Sequence, residues 1–80
     1  MNRQQIEEKV LSFFLNDLEL EPEVVSLDAN LEEDLGIDSL DFVDIIVIVH
    51  RDFGFKPTPQ EMQQVKTVRE FCDYIERKLS

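Results

Sequence analysis

Apolar residues recur at spacings of three and four from Ile6 through Val10, Phe13 and Phe14 to Leu18, the stripe of an amphipathic helix running from about Gln4 to Leu18. Asn2, with Gln5 three residues on, is placed to cap it. The pattern then breaks. From Glu19 to Asp38 the chain is mostly polar and contains Pro22 and Gly36, with Val24, Val25, Leu27, Leu31, Leu35 and Ile37 spaced along it as apolar pins. A connection of this length is unusual in a small fold and tends to carry function, so it is expected to lie packed across the helices.

The second helix is predicted from Asp38 or Ser39 to about Phe53. Its run Ile45-Ile46-Val47-Ile48-Val49 is β-branched throughout and would pass for a buried strand in isolation. No partner strand is evident elsewhere, however. Phe42, Ile45, Ile46, Val49 and Phe53 fall on one helical face, with Asp38, Asp41, Asp44 and Arg51 off it. Thr58-Pro59-Gln60-Glu61 announces a short third helix through a capping box with Pro at the first helical position. Thr67-Val68-Arg69-Glu70 opens a fourth in the same way, directing Val68, Phe71, Cys72, Ile75 and Leu79 inward. The expected fold is all-α, a four-helix bundle with a long loop between helices 1 and 2 and a short third helix, residues 1–80 forming one domain.

Composition agrees with that reading and narrows the partners. Two Gly and three Pro are too few for a many-stranded sandwich or barrel, and 42% hydrophobic residues, six of them Phe, suffice for one small core. No segment approaches the roughly 18 to 20 apolar residues that span a bilayer. Glu7 and Glu8 precede the apolar stretch Leu11–Leu15, which is wrong for a secretory signal, so a cytoplasmic location is expected. Net charge is −10 and unevenly spread. Between Val10 and His50 there are eleven acids and no Lys or Arg, whereas Arg51–Ser80 has six basic and five acidic residues. Such a field repels nucleic acid and anionic lipid and speeds encounter with proteins that present Lys and Arg patches.

Catalysis finds little support. Acid–base work by carboxylates needs a cleft that separates their pKa values, and a bundle this small has little interior for one. His50 lies eleven residues from Ser39 along one helix, about 16 Å, too far for a nucleophile–base pair. Asp28-Ala29-Asn30-Leu31-Glu32 begins like a calcium loop, but Glu33 stands where the sharp-turn Gly is required. Cys72 has no second Cys to pair with and only one His in the chain to share a metal, so it reads as a small buried hydrophobe. Ser39 is different. At the start of a helix its hydroxyl is exposed, and free backbone N–H groups there favour an anion such as a phosphodiester; the same position also suits an ordinary N-cap serine.

The run Asp34-Leu35-Gly36-Ile37-Asp38-Ser39-Leu40 resembles the phosphopantetheine attachment motif of acyl carrier proteins, Asp-Leu-Gly-x-Asp-Ser-Leu. The likeness extends to the length, the order of helices, the acidic helix after the serine, the Phe53 that closes it and the Thr67-Val68 opening of the last helix. It implies that Ser39 Oγ accepts 4'-phosphopantetheine from coenzyme A and that the arm's thiol carries acyl groups. It also implies that Asp38 sits beside the attachment point while Leu40, Asp41, Asp44 and Val47 form the face that enzymes read. The bundle of such carriers parts its helices to shelter an apolar chain, so the core stripe of the second helix would double as cavity wall. The implied partners of this monomeric carrier, itself not an enzyme, are a phosphopantetheinyl transferase and the acyl-loading and synthase enzymes, through basic docking patches.

Several positions depart from the usual pattern. Phe42 replaces a small polar residue, His50 and Arg51 stand where further acids are common, and Lys56-Pro57 replaces an acidic-apolar pair. These changes alter the partner face and the loop before the third helix, which points away from the usual enzyme set of primary fatty acid synthesis and sets a secondary pathway, polyketide or specialised lipid, beside fatty acid synthesis. An aminoacyl or peptidyl carrier of the D-alanyl type shares the architecture, although the Asp before Ser39 favours acyl cargo. An unmodified acidic adaptor for basic proteins is the remaining alternative.

Overall fold

The computed structural model describes every residue, Met1–Ser80, and contains four helices: α1 (Arg3–Asn16), α2 (Ser39–Phe53), α3 (Pro59–Gln63) and α4 (Val68–Leu79). Their starts follow from local chemistry. Asn2 accepts from the Gln5 amide at 2.9 Å while the Gln5 side chain accepts from the Asn2 amide at 2.9 Å, and Thr67 and Glu70 repeat the device at α4. Thr58 caps α3, with Pro59 at its first position. The β-branched run of α2 is helical, as its lack of a partner strand requires. The one extended pairing is an isolated bridge between Asn30 and Thr67.

Twenty buried apolar residues form one core. Phe13, Phe14 and Phe71 meet at its centre with ring centroids 4.7 to 6.2 Å apart, tilted or edge-on, joining α1 to α4. Arg3 stitches the same two helices from outside, donating to Asp73 at 2.6 Å and Glu76 at 3.1 Å as well as to Glu7 of its own helix. Cys72 is fully buried, and that burial pushes its thiol up to about 11, the state of an inert packing group.

Three details differ from the sequence reading. α1 ends at Asn16, two residues before Leu18, because the chain turns out through Asp17 to Glu19, whose φ of +55° is left-handed. Leu79 is not buried in the last turn of α4 but stays 37% exposed. Tyr74 is buried in its place on the inward face of α4, and Ile48 and Ala29 join the core as well.

The long connection is packed rather than loose. Leu31 donates its N–H to Lys66 O, Val68 to Ala29 O and Arg69 to Leu27 O, at 2.7 to 3.1 Å, and the Arg69 guanidinium pairs with Asp28. Leu31, Leu35 and Ile37 are buried pins, Val25 and Leu27 are partly so, and Val24 stays out. Asp28 and Asn30, the first ligand positions of the calcium-loop-like run, are thus committed to Arg69 and to the turn that follows.

Candidate functional site

The stretch before α2 is built as a single turn with a defined end. Asn30 Oδ1 accepts from the amides of Glu32 and Glu33, and Asp34 carboxylate reaches back to accept from the Asn30 amide at 2.7 Å. Gly36 then donates to Glu32 O, the 5→1 bond of an αL closure, and Ile37 donates to Leu31 O. Gly36 holds the left-handed position, φ +69°, that closure needs. Asp34 of the sequence motif is therefore a turn-fixing residue.

From Ile37 the chain enters α2 through a second set of local bonds. Asp38 is the N-cap: its carboxylate accepts from Leu40 N at 2.9 Å and Asp41 N at 3.1 Å, and Asp41 carboxylate accepts from Asp38 N at 3.1 Å. Ile37 and Phe42 occupy the residue before the cap and the fourth helical position, the pair a hydrophobic staple uses. Ile37 is buried and Phe42 packs partly against the core.

Ser39 sits at the first helical position, exposed, and its hydroxyl takes no part in the cap. This revises the idea of an ordinary capping serine, since the neighbouring carboxylate does that work. It also revises the idea of an open anion cradle. Asp38 already occupies the amides of Leu40 and Asp41, so the Ser39 amide is the first-turn donor left without a partner. What the site offers is a rigidly placed, unengaged hydroxyl. No other side chain within the first turn competes for it.

Beyond Ser39 the outer side of α2 carries Leu40, Val43 and Val47, exposed by 77%, 59% and 63%. Spacings of three and four put them on one face, an unusual amount of bare aliphatic surface for a single short helix. Asp44 is exposed beside them and Asp41 is half-buried by its capping role. Sequence reasoning named Leu40, Asp41, Asp44 and Val47 but missed Val43. The signal was available, because Val43 lies three residues after Leu40, four before Val47 and outside the buried stripe.

His50 is exposed at the far end of the same helix. Arg51 next to it is turned toward α1, donating to Asp52 at 2.9 Å and to Asp17 at 3.1 Å, and these carboxylates hold its guanidinium even more firmly protonated than usual. A broad polar groove of about 680 Å³ lies there, lined by Lys9, Ser12, Asn16, Asp17, Arg51 and Asp52 among others, well away from Ser39. Lys56 is exposed and Pro57 buried, so the second departs from a solvated loop residue.

The family model described as "Phosphopantetheine attachment site" matches residues 8–75 of the chain. Among curated proteins, the acyl carrier protein of Thermosynechococcus vestitus is 36% identical over 80 residues, covering 100% of this chain and 99% of the relative. The acyl carrier protein of Thermotoga maritima is 36% identical over 78 residues, 98% of this chain and 96% of the relative. That of Coprothermobacter proteolyticus is 34% identical over 79 residues, 99% and 96% respectively.

Proposed function

The chain belongs to the acyl carrier proteins, the phosphopantetheine-bearing carriers, and from that premise we propose that Ser39 is its attachment residue. Its role is that of a carrier rather than an enzyme, and its cofactor is 4'-phosphopantetheine. One observation supports Ser39 above all: in a turn where the flanking polar groups are committed to each other, its hydroxyl is exposed and unengaged. Bound there, the arm supplies a terminal thiol that holds an acyl group as a thioester. The chain's own part is to hold Oγ at the loop–helix junction, where a transferase can reach it, and to lose the hydroxyl proton as the new phosphodiester replaces the pyrophosphate bond of coenzyme A, with adenosine 3',5'-bisphosphate leaving. Asp38 fixes the backbone on either side of that atom.

The exposed stripe Leu40, Val43 and Val47, with Asp41 and Asp44 beside it, is the face we assign to partner enzymes. It fits a shallow apolar slot bordered by Lys and Arg. Charge brings the two together quickly, and the small apolar area releases them quickly, as a carrier visiting several enzymes requires. The phosphopantetheinyl transferase and the acyl-loading and synthase enzymes are the partners of this reading, which carries with it a single carrier domain in the cytoplasm. That the relatives are acyl carrier proteins favours acyl over aminoacyl cargo.

The test is intact mass after incubation with coenzyme A and a broad-specificity phosphopantetheinyl transferase. One phosphopantetheine is expected on the protein and none on Ser39→Ala. A folded protein that gains nothing is an unmodified adaptor instead, and a gain that survives in Ser39→Ala moves the attachment elsewhere.

A further inference from the structure

The side-chain ties of α3 to α4 converge on one carboxylate. Backbone bonds in the α3 region run only within its own turn: Met62 N to Thr58 O, Gln64 N to Glu61 O and Val65 N to Met62 O. Across to α4 the side-chain links are those of Glu61, whose Oε1 accepts from the Tyr74 hydroxyl at 3.0 Å while Oε2 pairs with Lys78 Nζ at 2.8 Å, and the Thr58 backbone amide also faces the Tyr74 hydroxyl. The same Oε1 accepts from Thr58 Oγ1 at 3.0 Å, which fixes the carboxylate against its own helix cap. Apolar packing supplies the remaining hold through Pro57, Met62 and Val65, with Phe55 edge-on to the Tyr74 ring at 6.0 Å. Packing of that kind has little directionality, whereas the Glu61 links specify one position of the turn on α4.

Tyr74 explains why the arrangement is exacting. Its ring is buried to 2% exposure, its hydroxyl finds Glu61 as acceptor, and Arg77 and Lys78 lie about its ring at 6.0 and 5.8 Å. Burial and the adjacent carboxylate push the phenol up to about 12, so it remains a donor at any working pH. Removing the acceptor strands a hydroxyl at the edge of the core.

We propose that Glu61 is a latch: its bonds to Tyr74 and Lys78 hold α3 shut on α4, and releasing them lets residues 57–65 open as a unit while α1, α2 and α4 stay packed. The latch is independent of whether Ser39 bears an arm, and so is its test. Such an opening would bare Met62, Val65 and the Tyr74 ring to an apolar group nearby.

Amide hydrogen exchange on the unmodified protein decides it, comparing wild type with Glu61→Gln, Tyr74→Phe and Lys78→Met. Gln keeps an oxygen to accept from Thr58 and Tyr74 but loses the ion pair with Lys78, and Phe removes a single oxygen. Exchange at Met62, Gln64 and Val65 should quicken by roughly threefold to tenfold in each variant, with α1 and α4 core amides unchanged. In the Glu61→Gln/Tyr74→Phe double variant the two effects should fall short of adding. Unaltered exchange at those three amides overturns the latch. So does a rise that α1 and α4 share equally, because Glu61 then acts on the whole fold.

Discussion

The long connection between α1 and α2 and the short helix α3 reverse what their secondary structure suggests. The connection is irregular, yet it is stitched at both levels: backbone bonds join it to residues 66–69, and its own turn closes through Asn30, Asp34 and Gly36. α3 is regular, yet its side-chain polar attachment to α4 rests on Glu61. Order along the chain and anchorage to the core are separate properties. The region that must place Ser39 accurately has the second, and the helix that carries no candidate chemistry has mainly the first.

That contrast can be broken most decisively at Leu31, which is 1% exposed in the middle of the connection. Leu31→Ala should cost about 2 to 4 kcal/mol of global stability, read as a lower urea midpoint with an unchanged slope. If protection were lost only between residues 27 and 37, the connection would be a flap and the distinction would vanish. Gly36→Ala comes next. No atom lies near its missing side chain, so the penalty is that of a left-handed backbone alone, about 1 kcal/mol, and the same titration would show it. An unaffected midpoint would mean that the left-handed turn at Gly36 contributes nothing to holding α2.

A smaller effect of opposite sign is expected at Glu19, where a non-glycine residue occupies the left-handed position after α1. Glu19→Gly should raise stability by about 0.5 kcal/mol, the relief of strain being partly offset by chain entropy. Least in size is the pH response of α3. Lys78 first, and then the Tyr74 and Thr58 hydroxyls, hold the Glu61 carboxyl below its ordinary value of 4.5. A carboxyl depressed in the folded state contributes stability above that value and loses it as pH falls through the folded one. NMR titration should therefore find Glu61 protonating below 4.5, with the exchange of Met62 and Val65 quickening over that acidic range. Lys78→Met should move the titration back up.

Much of this was legible in the sequence. The capping residues at Asn2, Thr58 and Thr67 marked three helix starts because each device needs only neighbours three residues apart. The fate of Ile45–Val49 was decided by what the rest of the chain lacked, a partner strand. The motif around Ser39 was visible, but not which of two adjacent residues would cap α2, since Asp38 and Ser39 are both good caps and only backbone geometry selects one. Leu79 was placed inward and Tyr74 was left out for a tertiary reason. Tyr74 finds an acceptor for its hydroxyl in Glu61 of α3, and Leu79 in the last turn is only partly covered.

The side-chain bonds that shape the attachment point begin and end between Asn30 and Asp41, and the tie from Leu31 to Lys66 only anchors that segment to the fold. Inheritance of that point is consequently separable from inheritance of the surface around it. A lineage can exchange Val43, His50 or Arg51 and acquire new clients while the serine stays where it was, so divergence of partners requires no reinvention of the hook.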